Sequence, residues 1–156
     1  MAVIDGDLRK IFRNKLKKGF HWQSIETGGT GLGIPDSNFC TLPAEWDRVA
    51  GAGREGWVEF KQTDGWAVTL STEQVGWHKT RAMYGGVTFI AIRRWHDGGP
   101  RKGDAVDELW IYRGMYAGEL KDSGLRCGVP CLGIYEGGPS GWCWRAVGDV
   151  LQGRIA

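Results

Sequence analysis

The chain has 156 residues, 42% of them hydrophobic and 24% charged, with a formal net charge of +2. That size and balance describe one globular domain and exclude a disordered or fibrous chain. No run approaches the roughly 18 apolar residues of a membrane helix, and the opening MAVIDGDLRK lacks the apolar core of a secretory leader, so a cytoplasmic location is expected.

In chain order, Asp7 is expected to cap a helix from Leu8 to Lys18 that Gly19 ends. Leu8, Ile11, Phe12 and Leu16 follow helical spacing and would face the core. Arg9, Arg13 and Lys17 share another face, within a segment where six of ten residues are Lys or Arg. This face is either a solvated basic surface or one that neutralises nucleic-acid phosphates.

Residues His21 to Glu26 read as a short strand, followed by the glycine-rich turn GGTGLG. A dinucleotide loop would have to open a helix whose N-terminus holds the pyrophosphate. Here IPD follows instead, and the residue before Pro35 is biased to extended backbone, so no nucleotide cofactor is expected. IPDSNFC reads as a strand, LPAEWDRVAGAGREG as an exposed connection, and WVEFKQT as the most strongly alternating strand of the chain.

A helix starting at Thr69 or Ser71 should run to Tyr84 and close at Gly85-Gly86. VTFIAI has the apolar content of a strand buried on both faces. That helix is the crossover that would place VEF and TFIAI in parallel. ELWIYR is a further strand, Met115 to Asp122 a short helix, Cys131 to Tyr135 a last strand and Trp142 to Leu151 a last helix. Most tryptophans are expected in the core, with Trp66 a candidate to stack on an unpaired base. The cysteines read as buried thiols, and the spacing of Cys127 and Cys131 leaves a structural zinc as the other reading.

Asp36, Glu59 and Lys61 are the residues with chemistry to offer. Side chains alternate along a strand, so Glu59 and Lys61 share a face about 6.5 Å apart, while Phe60 turns to the core. Two carboxylates from neighbouring strands plus a main-chain carbonyl make a hard oxygen site that suits Mg²⁺, and a lysine beside it stabilises charge developing on a phosphate. The bland counterpart is a turn aspartate and a Glu–Lys ion pair on a solvated face. Gln74 is open to two readings, as a site residue or as the far end of the capping box Ser71-x-x-Gln74. His78, Lys79 and Arg81 lie on the same helix; His78 and Arg81 would share the face of Gln74, and Lys79 and Arg81 are candidate phosphate contacts, with Arg93 and Arg94 beyond them.

GIPDSNF followed, after an excursion, by GWVEFKQT resembles the PD-(D/E)xK nuclease signature, here Pro35-Asp36 and then Glu59-Phe60-Lys61. STEQVGWHKTRAMYGG is similar to the element of virus-type replication-repair nucleases and Holliday-junction resolvases in which a glutamine follows the ExK strand. SIETGGTGLGIPD is similar to the stretch before the aspartate in small phage-encoded members. The resemblance spans residues 20 to 95 and leaves the C-terminal third unmatched. It implies an α/β fold, a mixed central β-sheet flanked by helices with a restriction-endonuclease-like core. It implies that Asp36 and Glu59 ligate Mg²⁺, for which Mn²⁺ can substitute, that Lys61 is the catalytic lysine, and that Gln74 orients it or the ligands. Glu26 fits a further acidic ligand by position, with Asp5 and Asp7 as alternatives. The activity implied is metal-dependent endonucleolytic cleavage of DNA, in the junction-resolving subclass by a two-fold homodimer on branched DNA. The alternative is a DNA-binding protein that keeps the fold without cutting.

Overall fold

The computed structural model describes residues 5–26, 31–42 and 53–154, with only the backbone for Asp5 and Gly6. A six-stranded mixed sheet, flanked by helices, runs in sequence order: β1 Phe20–Ser24, β2 Ser37–Thr41, β3 Glu55–Thr63, β4 Thr88–His96, β5 Val106–Arg113 and β6 Gly133–Tyr135. All neighbours pair antiparallel except β3 and β4, which are parallel. That parallel pair needs a crossover, and α2, Thr72–Met83, supplies it as the sequence leads one to expect. Ser71 caps α2 with a full capping box to Gln74, and Gly85 takes a positive φ of 81° just after its end.

One face of the sheet presents Phe39, Val58, Phe60, Phe89, Ala91, Leu109 and Ile111. Against it pack α1 (Asp5–Lys15), through Leu8 and Phe12, and α4 (Trp144–Gln152), through Val147, Val150 and Leu151. Phe12 meets Phe60 edge-on at 4.9 Å between ring centroids, so truncating Phe60 would cost roughly 3–5 kcal/mol. The opposite face presents Ile90, Ile92 and Tyr112 to Val68, Leu70 and the short α3 (Ala117–Ser123). Glu59 and Lys61 alternate with Phe60 and therefore lie on this second face.

Several boundaries differ from the sequence reading. α1 begins by Asp5 and stops at Lys15, so Asp7 sits in its first turn rather than at its cap, and Lys17 lies beyond it. The first strand is Phe20–Ser24 and leaves Glu26 outside; β2 starts at Ser37 and leaves Asp36 just ahead of it. Glu55 and Gly56, taken as part of the long connection, already belong to β3, and residues 43–52 and 27–30 of the two expected loops lie outside the described residues. A 3-10 turn, Gly114–Tyr116, precedes α3. Cys127 and Cys131 are half-buried and reduced, with Cys131 Sγ donating to main-chain carbonyls, whereas Cys40 and Cys143 are exposed rather than buried.

Candidate active site

The sheet is incomplete beside the middle of β3, and this opening places the candidate site. β2 pairs with β3 only from Glu55 to Val58, so Phe60 meets no strand on that side. Asp36 fills the gap, its Oδ2 accepting from the Phe60 amide at 3.0 Å. A strand residue's amide and carbonyl point to the same side, so the Phe60 carbonyl also faces the space beside Asp36. Gly33 sets the approach of this segment to α2. Its φ is 86°, and any side chain there would collide with the Glu73 main chain.

Glu59 is held from two directions. Its Oε1 accepts from Gln74 Nε2 at 2.8 Å and lies 3.3 Å from Lys61 Nζ. Gln74 uses its other atom in the capping box, Oε1 accepting from the Ser71 amide at 3.0 Å. The two roles weighed for Gln74 therefore coexist, because a carboxamide has a donor and an acceptor end. The cap fixes where the donor points.

Only 2% of Glu59 is exposed, and its Oε2 has no hydrogen-bond partner. Burial, and after it the nearby Asp36 carboxylate, raise its pKa to about 7 against the opposing pull of Lys61. A buried, partnerless carboxylate oxygen next to a second carboxylate is costly in isolation and is satisfied by a cation. The donors on offer, two carboxylates and the Phe60 carbonyl, are hard oxygens that fit Mg²⁺ or Mn²⁺. Glu59 and Lys61 are thus no ion pair on a solvated face.

Other expected site residues lie elsewhere. Glu26 is exposed after β1, and among the described residues no three His, Cys, Asp or Glu side chains gather as a metal-binding group. No such group forms around Asp7, around the cysteines, or around Glu26, which follows Ile25, whose amide donates to the Asp36 carbonyl at 2.9 Å; the Asp5 side chain lies outside the described residues. Arg9 and Arg13 ride on α1, which packs on the opposite face of the sheet from Glu59 and Lys61. Arg13 donates to Ser24 Oγ at 2.6 Å, and Lys17 has left the helix, so the three do not form one stripe beside the site.

On α2, Lys79 and Arg81 are exposed, and the Arg81 guanidinium lies over Trp57 and Trp77. His78 shares the Gln74 face, but that face turns inward: His78 is wholly buried, with neither ring nitrogen hydrogen-bonded, and burial ahead of the Lys61 cation lowers its pKa to about 4. Helical spacing gave the shared face and not its direction. Arg93 and Arg94 are buried and paired with Asp107 and Glu108, hence not phosphate contacts. Trp66 is not open for stacking on a base, since Arg94 and Arg126 each lie about 4 Å from its ring centroid, at 3.9 and 4.1 Å.

Comparison of the chain with protein-family models, curated proteins and solved structures finds no match. Among the described residues, no helix is long and apolar enough to cross a membrane.

Proposed function

We propose that this protein is a Mg²⁺-dependent endodeoxyribonuclease whose centre is Asp36, Glu59 and Lys61, supported by Gln74. The observation that carries the reading is the unpartnered Oε2 of buried Glu59 beside the charge of Asp36, with Lys61 on the same strand face. Asp36, Glu59 and the Phe60 carbonyl would hold the ion. Bound there, Mg²⁺ supplies Lewis-acid neutralisation of a scissile phosphate.

The chain's own residues do the rest. The Phe60 amide and Gln74 each lock one carboxylate in place, so the site is organised before substrate arrives. The Lys61 ammonium, partly open to solvent, places a positive charge where the phosphate gains negative charge and orients the attacking water. Water oxygen bonds to phosphorus and releases a proton to solvent, the P–O3′ bond breaks and O3′ takes up a proton, and the strands carry a 5′-phosphate and a 3′-hydroxyl. The resemblance to the resolvases extends the proposal to branched DNA, a two-fold dimer and a cytoplasmic setting.

The test is incubation with linear, nicked, flap and four-way-junction DNA, with Mg²⁺, with Mn²⁺ and with EDTA. Cleavage in either metal and none in EDTA is expected, with the junction cut fastest by a dimer. Binding of DNA without cleavage in any arm would favour a non-cleaving DNA-binding protein. Equal cutting of all forms by a monomer would end the resolvase extension and leave the nuclease.

A further inference from the structure

The three elements that build the candidate centre continue together away from it, and beside them lies a groove that the nuclease reading leaves unused. On β3, Trp57 stands two residues before Glu59 and therefore on the same sheet face, about 6.5 Å away along the strand. On α2, Gln74, which bonds Glu59, is preceded by Glu73 and followed one turn later by Trp77. The segment that delivers Asp36 passes through Leu32 and Gly33, and Gly33 lies against the Glu73 main chain. The groove between this segment and α2 has a volume of about 440 Å³, with Leu32, Glu73, Trp77, Arg81 and Tyr84 on its wall.

The wall is mostly aromatic and apolar, with one cation. Trp57 and Trp77 meet at 5.4 Å between ring centroids, and the Arg81 guanidinium lies 5.6 and 5.3 Å from the two rings. Among the described residues Arg81 has no carboxylate partner, so its charge is open to a phosphate. Tyr84 and Leu32 are 85% and 66% exposed, which leaves apolar surface in water until a ligand covers it. Gly76 also lines the groove, and a side chain there would meet nothing within 4 Å. Packing within the chain therefore does not require this glycine, which weakens the helix but lets a ligand approach its backbone closely. Aromatic faces, a free guanidinium and the acceptors Glu73 and Thr80 match an unpaired nucleobase with its phosphate, and the volume holds one nucleoside but no duplex.

We propose that this groove seats an unpaired base of the DNA strand next to the scissile phosphate, stacked on Trp77 and Tyr84 with its phosphate on Arg81. The substrate class is then duplex DNA with a single-stranded flank, such as a flap or an open branch point. The inference rests on the reading of Asp36, Glu59 and Lys61 as a DNA-cleaving centre.

Fluorescence anisotropy in EDTA compares a duplex carrying a short single-stranded flap with the same duplex whose flap nucleotides are abasic. Both keep every phosphate, so the difference reports the bases alone. The intact flap should bind at least about fivefold tighter. Tyr84→Ala alters an exposed side chain and should remove most of that difference, whereas Tyr84→Phe, which keeps the ring, should retain it. Arg81→Gln should weaken both duplexes and flatten the slope of log affinity against log salt by about one unit. Equal affinity for the two flaps, no binding of either, or an unchanged difference in Tyr84→Ala overturns the proposal. So does sedimentation that shows a wild-type dimer made monomeric by Tyr84→Ala, because a second copy then covers the groove. Cleavage in Mg²⁺ without preference for the intact flap removes the groove and leaves the nuclease. Base-dependent binding without cleavage in any metal removes the nuclease and leaves the groove.

Discussion

Two groups of buried charge sit in the same sheet and are built on opposite terms. Across β4 and β5, Arg93 forks onto Asp107 with bonds of 2.8 and 2.7 Å, and Arg94 donates to both Gly65 O and Glu108. Each carboxylate there has its own arginine. Beside β3, Glu59 pairs with Lys61 at the longer distance of 3.3 Å, Asp36 brings a second carboxylate close to it, and Glu59 Oε2 is buried without a hydrogen bond of good geometry. The first arrangement is closed and needs nothing further. The second is short of positive charge, which is the condition that invites a cation and keeps Lys61 available to a phosphate.

The sharpest way to break the comparison is through activity. Asp36→Ala and Glu59→Ala are each expected to lower single-turnover cleavage in Mg²⁺ by a factor of about a thousand or more, equivalent to roughly 4 kcal/mol. Lys61→Ala should lower the rate by orders of magnitude with DNA affinity nearly unchanged, because its charge acts on the transition state. Loss of binding in step with rate would make Lys61 a phosphate contact alone.

Stability should respond in the reverse sense. Arg93→Met leaves the half-buried Asp107 without its two hydrogen bonds, so urea denaturation should show a loss of about 1–3 kcal/mol. Glu59→Gln removes a carboxylate that is disfavoured in the metal-free protein, and above pH 7 should stabilise it by an amount on the order of 3 kcal/mol. A similar loss in both variants would erase the distinction between the two groups.

The dependence on pH sharpens the same contrast. The pKa of Glu59 is raised from 4.5 to about 7, so the native state holds its proton longer and stability falls as pH climbs through that window. The pKa of His78 is lowered from 6.5 to about 4, so the unfolded chain takes up the proton first and stability falls as pH drops through its window. The windows overlap and the slopes oppose, so metal-free wild-type protein should vary little between them. Denaturation across pH should show stability rising with pH in Glu59→Gln and falling with pH in His78→Asn. Parallel curves for both variants and wild type would show that neither group is perturbed.

The smallest effect is expected from α1. Neutralising Arg9, Arg13 and Lys17 together should leave the slope of log DNA affinity against log salt unchanged, since the sheet lies between that helix and the site. Flattening by about three units would instead put all three on phosphates.

What the sequence determined by itself is what depends on near neighbours. The alternation of WVEFKQT put Glu59 and Lys61 on one face and Phe60 on the other, because a strand repeats every two residues. The spacing of Ser71 and Gln74 built the cap, because one helical turn brings those groups together. The crossover helix and the parallel pair followed from element lengths and order. Tertiary structure decided everything that depends on which side of an element faces what. Helical periodicity groups Gln74 with His78 but is silent on whether that stripe meets the sheet or solvent, and it met the sheet. The partners of Arg93 and Arg94 stand on β5, and the basic helix took the opposite layer from the site. A periodic pattern carries an element's own repeat, whereas these outcomes depend on the order of strands in the sheet and on which face each helix covers.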